Sequence, residues 1–342
     1  MAYPSPLENW QNPQRAFYFS VVIAVTLIWL LPIFLLLLTA AKTNDQINTE
    51  QGARFTWPEH WSQCLTGAEE FAGPLDCFAP EGFTTVFSSA EFWGSMGLSF
   101  MIVIPVVILS IGFASLAGYA LAKHKFLGRT WIFALFVAGN FVPFQVLTFP
   151  VLRLLQDVVI PFPDIDFLWL YNGVLPIFGQ GFTDYLANLF GAFELKNGSP
   201  YNSAWALIMF HAAFQTGFCV FFMRNFIAAL PGELIEAARI EGANEYQIFT
   251  KVVLPLITPA LAALGLLIFT FVWNDFYWSL VLTQGDLNLV PTMLVNLARG
   301  QWQNQWNVMA GGSILIALPP LVFFFFLQRQ FVAGLTLGAN KG

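Results

Sequence analysis

Residues 16–41 run for 26 positions without one Asp, Glu, Lys, Arg or His. As a helix rising ~1.5 Å per residue, such a stretch exceeds the ~30 Å hydrocarbon core of a bilayer. Five further long apolar stretches follow at 92–122, 130–152, 203–223, 252–274 (continuing to about 282) and 308–327. Prolines inside them, Pro105, Pro143 and Pro150, are tolerable where neighbouring helices satisfy the freed backbone groups. The chain is 57% hydrophobic and only 10% charged, whereas soluble domains carry roughly 25% charged residues. The apolar residues come in blocks instead of alternating, which favours spanning helices over a β-barrel. The expected fold is therefore an all-α membrane protein of six transmembrane helices, in contact with membrane lipid. The first span is too long for a cleaved signal peptide and reads as an anchor.

Lysine and arginine orient it. With the amino terminus in the cytoplasm, Arg15, Lys123, Lys125, Arg129, Arg224, Arg239, Lys251, Arg329 and Lys341 lie inside, against Lys42, Arg54, Arg153, Lys196 and Arg299 outside. This excess matches the inward bias of cations, and the short loop from Lys123 to Arg129 is its strongest element. Both termini are then cytoplasmic. The expected division is residues 1–41 for the amino terminus and first span, 42–91 for a periplasmic loop, and 92–342 for a core of five spans. That core includes a second outer loop at about 153–202, with an apolar stretch at 167–193, and a third at 283–307.

Between spans four and five lies a segment, residues 229–255, that reads as helix, turn and helix. Pro231 suits a first helical turn, Glu233 the positive end of a helix dipole, and Gly242 a left-handed helix end. Ala237 and Ala238 are small enough for a partner to approach the backbone closely, with Glu236, Arg239 and Glu241 placed for charged contacts around them.

This segment resembles the EAA loop of ABC-importer permeases. Glu236-Ala237-Ala238, Gly242 after three residues, Leu254-Pro255, Phe249 and Pro259 fit the maltose-type carbohydrate-importing subfamily. Trp273-Asn274-Asp275-Phe276 and the ending from Gln328 to Gly342 extend the resemblance. The enlarged outer segments 43–91 and 156–197 are closer to α-glucoside permeases than to the compact maltose subunit. The resemblance implies a type I importer permease fold and a cytoplasmic coupling helix that docks on an ATPase. It also implies a second homologous permease, two ABC ATPase subunits and an extracytoplasmic sugar-binding protein as partners. The implied cargo is a di- or oligosaccharide, an α-glucoside or a glucoside osmolyte such as trehalose, sucrose or glucosylglycerol. The alternatives are a permease for a non-sugar solute or a secondary transporter.

Several residues carry two readings. Asp275 with Trp273, Asn274, Tyr277 and Trp278 either lines a sugar pathway or forms an interfacial aromatic belt. Asn140, Gln145 and Gln215 inside spans are interhelical hydrogen-bond donors and acceptors or substrate contacts. Cys64 and Cys77, with twelve residues between them in an outer loop, form a disulfide or remain two thiols. The resemblance suggests that Gly300, Gln301, Trp302, Gln303 and Asn304 reach into the binding protein's cleft. Cys219 reads as a packing residue. No GxxxxGK[ST] phosphate loop is present, so ATP and Mg belong to the partner ATPase and the chain itself is not read as an enzyme. No cysteine–histidine cluster has metal-ligand spacing, and no basic domain suggests nucleic acid.

Overall fold

The computed structural model describes residues 12–49, 55–59, 61, 81–159, 191–195, 198–284, 287–299 and 304–339. Cys64, Cys77, Gly300, Gln301, Trp302 and Gln303 lie outside the described residues, as does most of the segment 156–197. Among the described residues every regular element is a helix. They are α1 (Asn12–Ala41), α2 (Asn44–Thr49), α3 (Glu81–Ser88), α4 (Ala90–Lys123), α5 (Arg129–Gly139), α6 (Thr148–Asp157), α7 (Ala204–Ala229) and α8 (Gly232–Ile240). Then come α9 (Glu245–Gln247), α10 (Leu254–Trp273), α11 (Tyr277–Leu282), α12 (Val290–Leu297) and α13 (Trp306–Ala339).

The chain divides into two compact units, residues 1–89 with 294–315, and residues 90–293 with 316–342. In the first, α1 is exposed along most of its length, and burial begins only at its last turn, at Leu38, Ala40, Ala41 and Lys42. There the Lys42 ammonium donates to Thr56 Oγ1. Gln46 of α2 holds the following segment through the carbonyl of Trp57 at 3.0 Å and the N–H of Glu59 at 3.1 Å. Residues 294–315 belong with this unit and not with the expected 92–342 core. The reason is a backbone-to-backbone approach: a Cβ on Gly82 would stand 2.2 Å from the Asn307 carbonyl oxygen, and one on Gly311 would stand 2.9 Å from the Gly82 carbonyl carbon. The Asn307 amide donates to Glu81 Oε2 across the same contact, at 3.1 Å.

The second unit is built on α4 and α7. Helices in lipid gain no hydrophobic drive from meeting, so small residues that admit close packing decide where they cross. Gly118 of α4 is such a point, since a Cβ there would lie 3.0 Å from the Arg224 backbone nitrogen on α7. Gly217 of α7 plays the same part toward α5, with Phe136 O only 2.9 Å from its Cβ position. On α10, the indole N–H of fully buried Trp273 donates to Ile316 O of α13 at 2.9 Å.

Among the described residues five helices are long and apolar enough to cross a membrane, six if the bent pair Arg129–Gly139 and Phe144–Asp157 is counted as one span. The expected continuous span 130–152 is interrupted: α5 ends at Gly139, a short 3₁₀ turn covers Phe144–Leu147, and the two halves bend by 95°. Pro143 supplies no N–H and disfavours helical backbone at Val142, which accounts for the stop. One end of the pair adjoins α4, where Arg129 Nη1 donates to His124 O at 3.2 Å. The other end adjoins the approach to α7, where Ser199 Oγ donates to Leu155 O at 2.9 Å. The pair therefore still carries the chain from one end of the unit to the other. Span five is likewise not continuous to 282: it stops at Trp273, and α11 restarts at Tyr277.

The Gly82 contact makes a direct prediction. Gly82→Ala should destabilise the protein by about 1–3 kcal/mol through overpacking. Gly94→Ala, whose Cβ position has open space around it, should not. Thermal unfolding of the two variants in detergent checks this.

Candidate functional site

Two local structures bring the predicted residues together, one at the end of the second unit where α4 finishes and one at the opposite end. At the first, Lys123 Nζ donates to Leu230 O at 2.8 Å, joining the end of α4 to the entry of α8. Pro231 stands one position before the helix, at its N-cap with ψ 127°, and not inside the first turn as expected; Glu233 is in that turn. Buried Ile235 anchors α8, while Glu236, Ala237, Arg239 and Glu241 are exposed and Ala238 is half-buried.

The helix ends as the sequence anticipated. Glu241 is its C-cap and Gly242 takes φ 85°, in the left-handed region. The Gly242 N–H bonds Arg239 O and the Ala243 N–H bonds Ala238 O, both at 3.0 Å. These are the two hydrogen bonds of a Schellman motif, which satisfies the last carbonyls of the helix. The next helix opens with a reciprocal cap. The Gln247 N–H donates to Asn244 Oδ1 at 2.9 Å, and the Asn244 N–H donates to Gln247 Oε1 at 3.0 Å. A π-helical segment, Ile248–Val253, then leads into α10. It directly precedes Pro255, which cannot donate to the regular helical ladder.

Arg239 is not left free for an external partner. Its guanidinium makes a two-pronged contact with Glu245 Oε1, at 3.1 Å from Nε and 2.7 Å from Nη2, and that carboxylate raises its pKa further above the ordinary range. Two exposed apolar side chains, Ile240 at 88% and Tyr246 at 76%, join Ala237 on the outer surface. Sequence reasoning passed over both. Ile240 could have been found from its spacing, since it lies three residues after Ala237 and therefore on the same helix face.

At the opposite end, the two interrupted spans meet. Tyr277 and Thr148 share a hydroxyl–hydroxyl hydrogen bond of 2.6 Å, and Phe144 packs edge-on against Tyr277 at 5.7 Å. Asn140, Gln145 and Asn274 are exposed beside the breaks. The Asn140 amide donates to Phe136 O at 3.0 Å and the Asn274 amide to Thr270 O at 2.8 Å, so each also caps its own helix. Asp275 restarts the chain as a helix, its carboxylate accepting the N–H groups of Trp278 at 3.3 Å and Ser279 at 3.0 Å. The same carboxylate lies 3.4 Å from Nε2 of fully buried His211, and Gln215 is buried one turn along α7 from that histidine.

Trp273 and Trp278 carry two readings from the sequence, as aromatic faces lining a sugar pathway or as an interfacial aromatic belt. They present almost no surface. Trp273 packs on Phe100 at 4.6 Å and Phe269 at 5.4 Å, and Trp278 on Phe210 at 3.7 Å. They are packing residues that fix the helix ends. Asn304 pairs with Arg299 in an isolated antiparallel bridge. Cys219 is buried and unbridged. Among the described residues no group of three or more His, Cys, Asp or Glu side chains could hold a metal ion.

Residues 110–336 match the family described as "Binding-protein-dependent transport system inner membrane component", and the chain belongs to that family: it is a multi-pass inner-membrane permease component and not an enzyme. It is 33% identical over 264 residues to the arabinooligosaccharides transport system permease protein AraQ of Halalkalibacterium halodurans, covering 77% of this chain and 79% of the relative. It is also 33% identical over 267 residues to the alpha-glucoside transport system permease protein AglG of Rhizobium meliloti, covering 78% of this chain and 61% of the relative. Among solved structures, a bacterial ABC transporter involved in alginate import superposes with a TM-score of 0.57 at 20% identity, covering 94% of this chain and 99% of that one. This last likeness supports the type I permease fold.

The cap at Asp275 is testable. Asp275→Ala removes the acceptor for two helix-opening N–H groups and should cost about 0.5–2 kcal/mol. Asp275→Asn, which keeps an acceptor oxygen, should lose less in the same thermal-unfolding assay.

Proposed function

We propose that this chain is one of two permease subunits of an ATP-driven importer for a carbohydrate, either a di- or oligosaccharide, an α-glucoside or a glucoside osmolyte. Its partners are a second homologous permease, two ABC ATPase subunits and an extracytoplasmic sugar-binding protein, and both its termini are cytoplasmic. The observation that carries the reading is α8: a short helix between α7 and the helix of span five, anchored by Ile235 and presenting Ala237 and Ile240 outward. Family membership and the sugar-import names of the two relatives support the cargo class.

In this reading Glu236, Ala237, Ala238, Glu241 and Gly242 form the surface gripped by the ATPase, with Arg239 holding the helix from behind. When the ATPases close on ATP, α8 moves and the spans swing to face outward. Sugar leaves the binding protein, whose cleft is probed by the loop from Gly300 to Asn304, and enters the cavity between the permeases. Asn140, Gln145, Asn274 and Tyr277 face the sugar, with Asp275 and Gln215 behind them. Interrupted spans suit this role, because non-helical backbone at membrane depth is tolerated where it lines a cavity or is buried in protein. Hydrolysis then resets the inward-facing state.

Two measurements test the reading. Glu236→Lys and Gly242→Leu should insert normally yet lower ATPase retention on co-purification by about tenfold or more, the scale of a lost interface hot spot. Wild-type uptake in both variants would rule out α8 as the coupling surface. For the cargo, titrating the cognate binding protein with a panel of glucosides, a polyamine and phosphate should give saturable binding only with a glucoside. Binding of the polyamine or phosphate alone would overturn the carbohydrate assignment.

A further inference from the structure

Glu245 lies where three elements meet, inside the segment 229–255 but at none of the positions that carried the resemblance. Its Oε1 accepts from Arg239 of α8 at 3.1 and 2.7 Å. Its Oε2 accepts the Tyr119 hydroxyl of α4 at 2.9 Å and lies 3.5 Å from Nε2 of His124. The Tyr119 ring stands perpendicular to the His124 imidazole at 5.3 Å and packs on Phe249 of the π-helical segment at 5.4 Å. A single carboxylate thus ties the coupling helix to the end of α4 and to the start of the helix that becomes span five.

Stability does not explain the arrangement. The Arg239 and Glu245 side chains are 45% and 50% exposed, and exposed ion pairs contribute little to folding. What a two-pronged guanidinium contact supplies is directional fixing. The fixing matters because α8 and α9 are joined by the turn from Glu241 to Asn244. A push on Ala237 would otherwise be absorbed by rotation at this turn.

We propose that Glu245 is a positioning residue of the transport cycle: it locks α8 to α4 and to span five, so that displacement at Ala237 and Ala238 reaches the membrane as one movement. The proposal rests on the reading of α8 as the ATPase contact. Beyond the clamp, α4 passes the movement on through Gly118 against α7 and through Ser99, whose Oγ accepts the Val290 N–H at 2.9 Å.

The test uses the complete transporter, reconstituted in vesicles with its binding protein, and reads solute taken up per ATP hydrolysed. Glu245→Gln should retain the ATPase through purification yet lower that ratio by about fivefold, the lower end of coupling between sites. Tyr119→Phe, which removes one arm without touching α8, should lower it by less. Glu245→Asp, which restores the carboxylate, should recover part of it. A wild-type ratio in both Glu245→Gln and Tyr119→Phe would overturn the proposal. So would a fall that merely tracks loss of the ATPase, because Glu245 would then hold the fold and not the stroke. If the wild-type chain itself retained no ATPase, the reading of α8 would fail instead, a result recognisable before any variant is made.

Discussion

A backbone N–H or C=O inside hydrocarbon must find its partner within the protein. That constraint makes the chain a set of helices, and it gives meaning to the two places where the helices stop. At 140–143 and at 274–276 the ladder is interrupted, and in both places nearby side chains stand in for it. The amides of Asn140 and Asn274 turn back to carbonyls one turn earlier, and Asp275 takes up the N–H groups of the helix that follows. The breaks are bridged to each other by Thr148 and Tyr277. Polar side chains at the breaks thus serve the backbone first.

The opposite end of the unit follows a different rule. There structure is specified by local chemistry: a left-handed glycine, a reciprocal Asn–Gln cap and a buried isoleucine. These devices define α8 sharply while leaving Ala237 and Ile240 exposed among charged neighbours. Contact through these two side chains suits repeated engagement, since they lose little freedom on contact. Arg239 and Glu245, both half-exposed, pair across the turn and tie the two arms of the helix–turn–helix together.

Much of this was legible in the sequence. Charge-free runs announce spans because burial in lipid penalises every charge, and Gly242 and Pro255 announce a turn and a re-entry by their backbone chemistry. The break at Pro143 was harder to foresee. A proline in a span either bends a helix or ends it, and the outcome depends on whether Thr148 and Asn140 find partners, which is a tertiary matter. Trp273 and Trp278 show the same limit: an aromatic beside an acid reads equally as a lining or as packing until its neighbours, Phe100, Phe269 and Phe210, are in place. The Glu245 contact joins residues 126 positions apart to Tyr119 and has no periodic signal at all. The assignment of 294–315 to the first unit has the same cause, since Gly82 and Gly311 reveal their closeness only when their backbones touch.

The first helix is gripped at one end only. Its last turn is buried around Ala40 and Lys42, while the preceding 26 or so positions, roughly 39 Å of rod, share little surface with the rest of the chain. A rod held this way behaves as a pivot. Tilt is one of the ways in which such a rod can match a bilayer thinner than its apolar length.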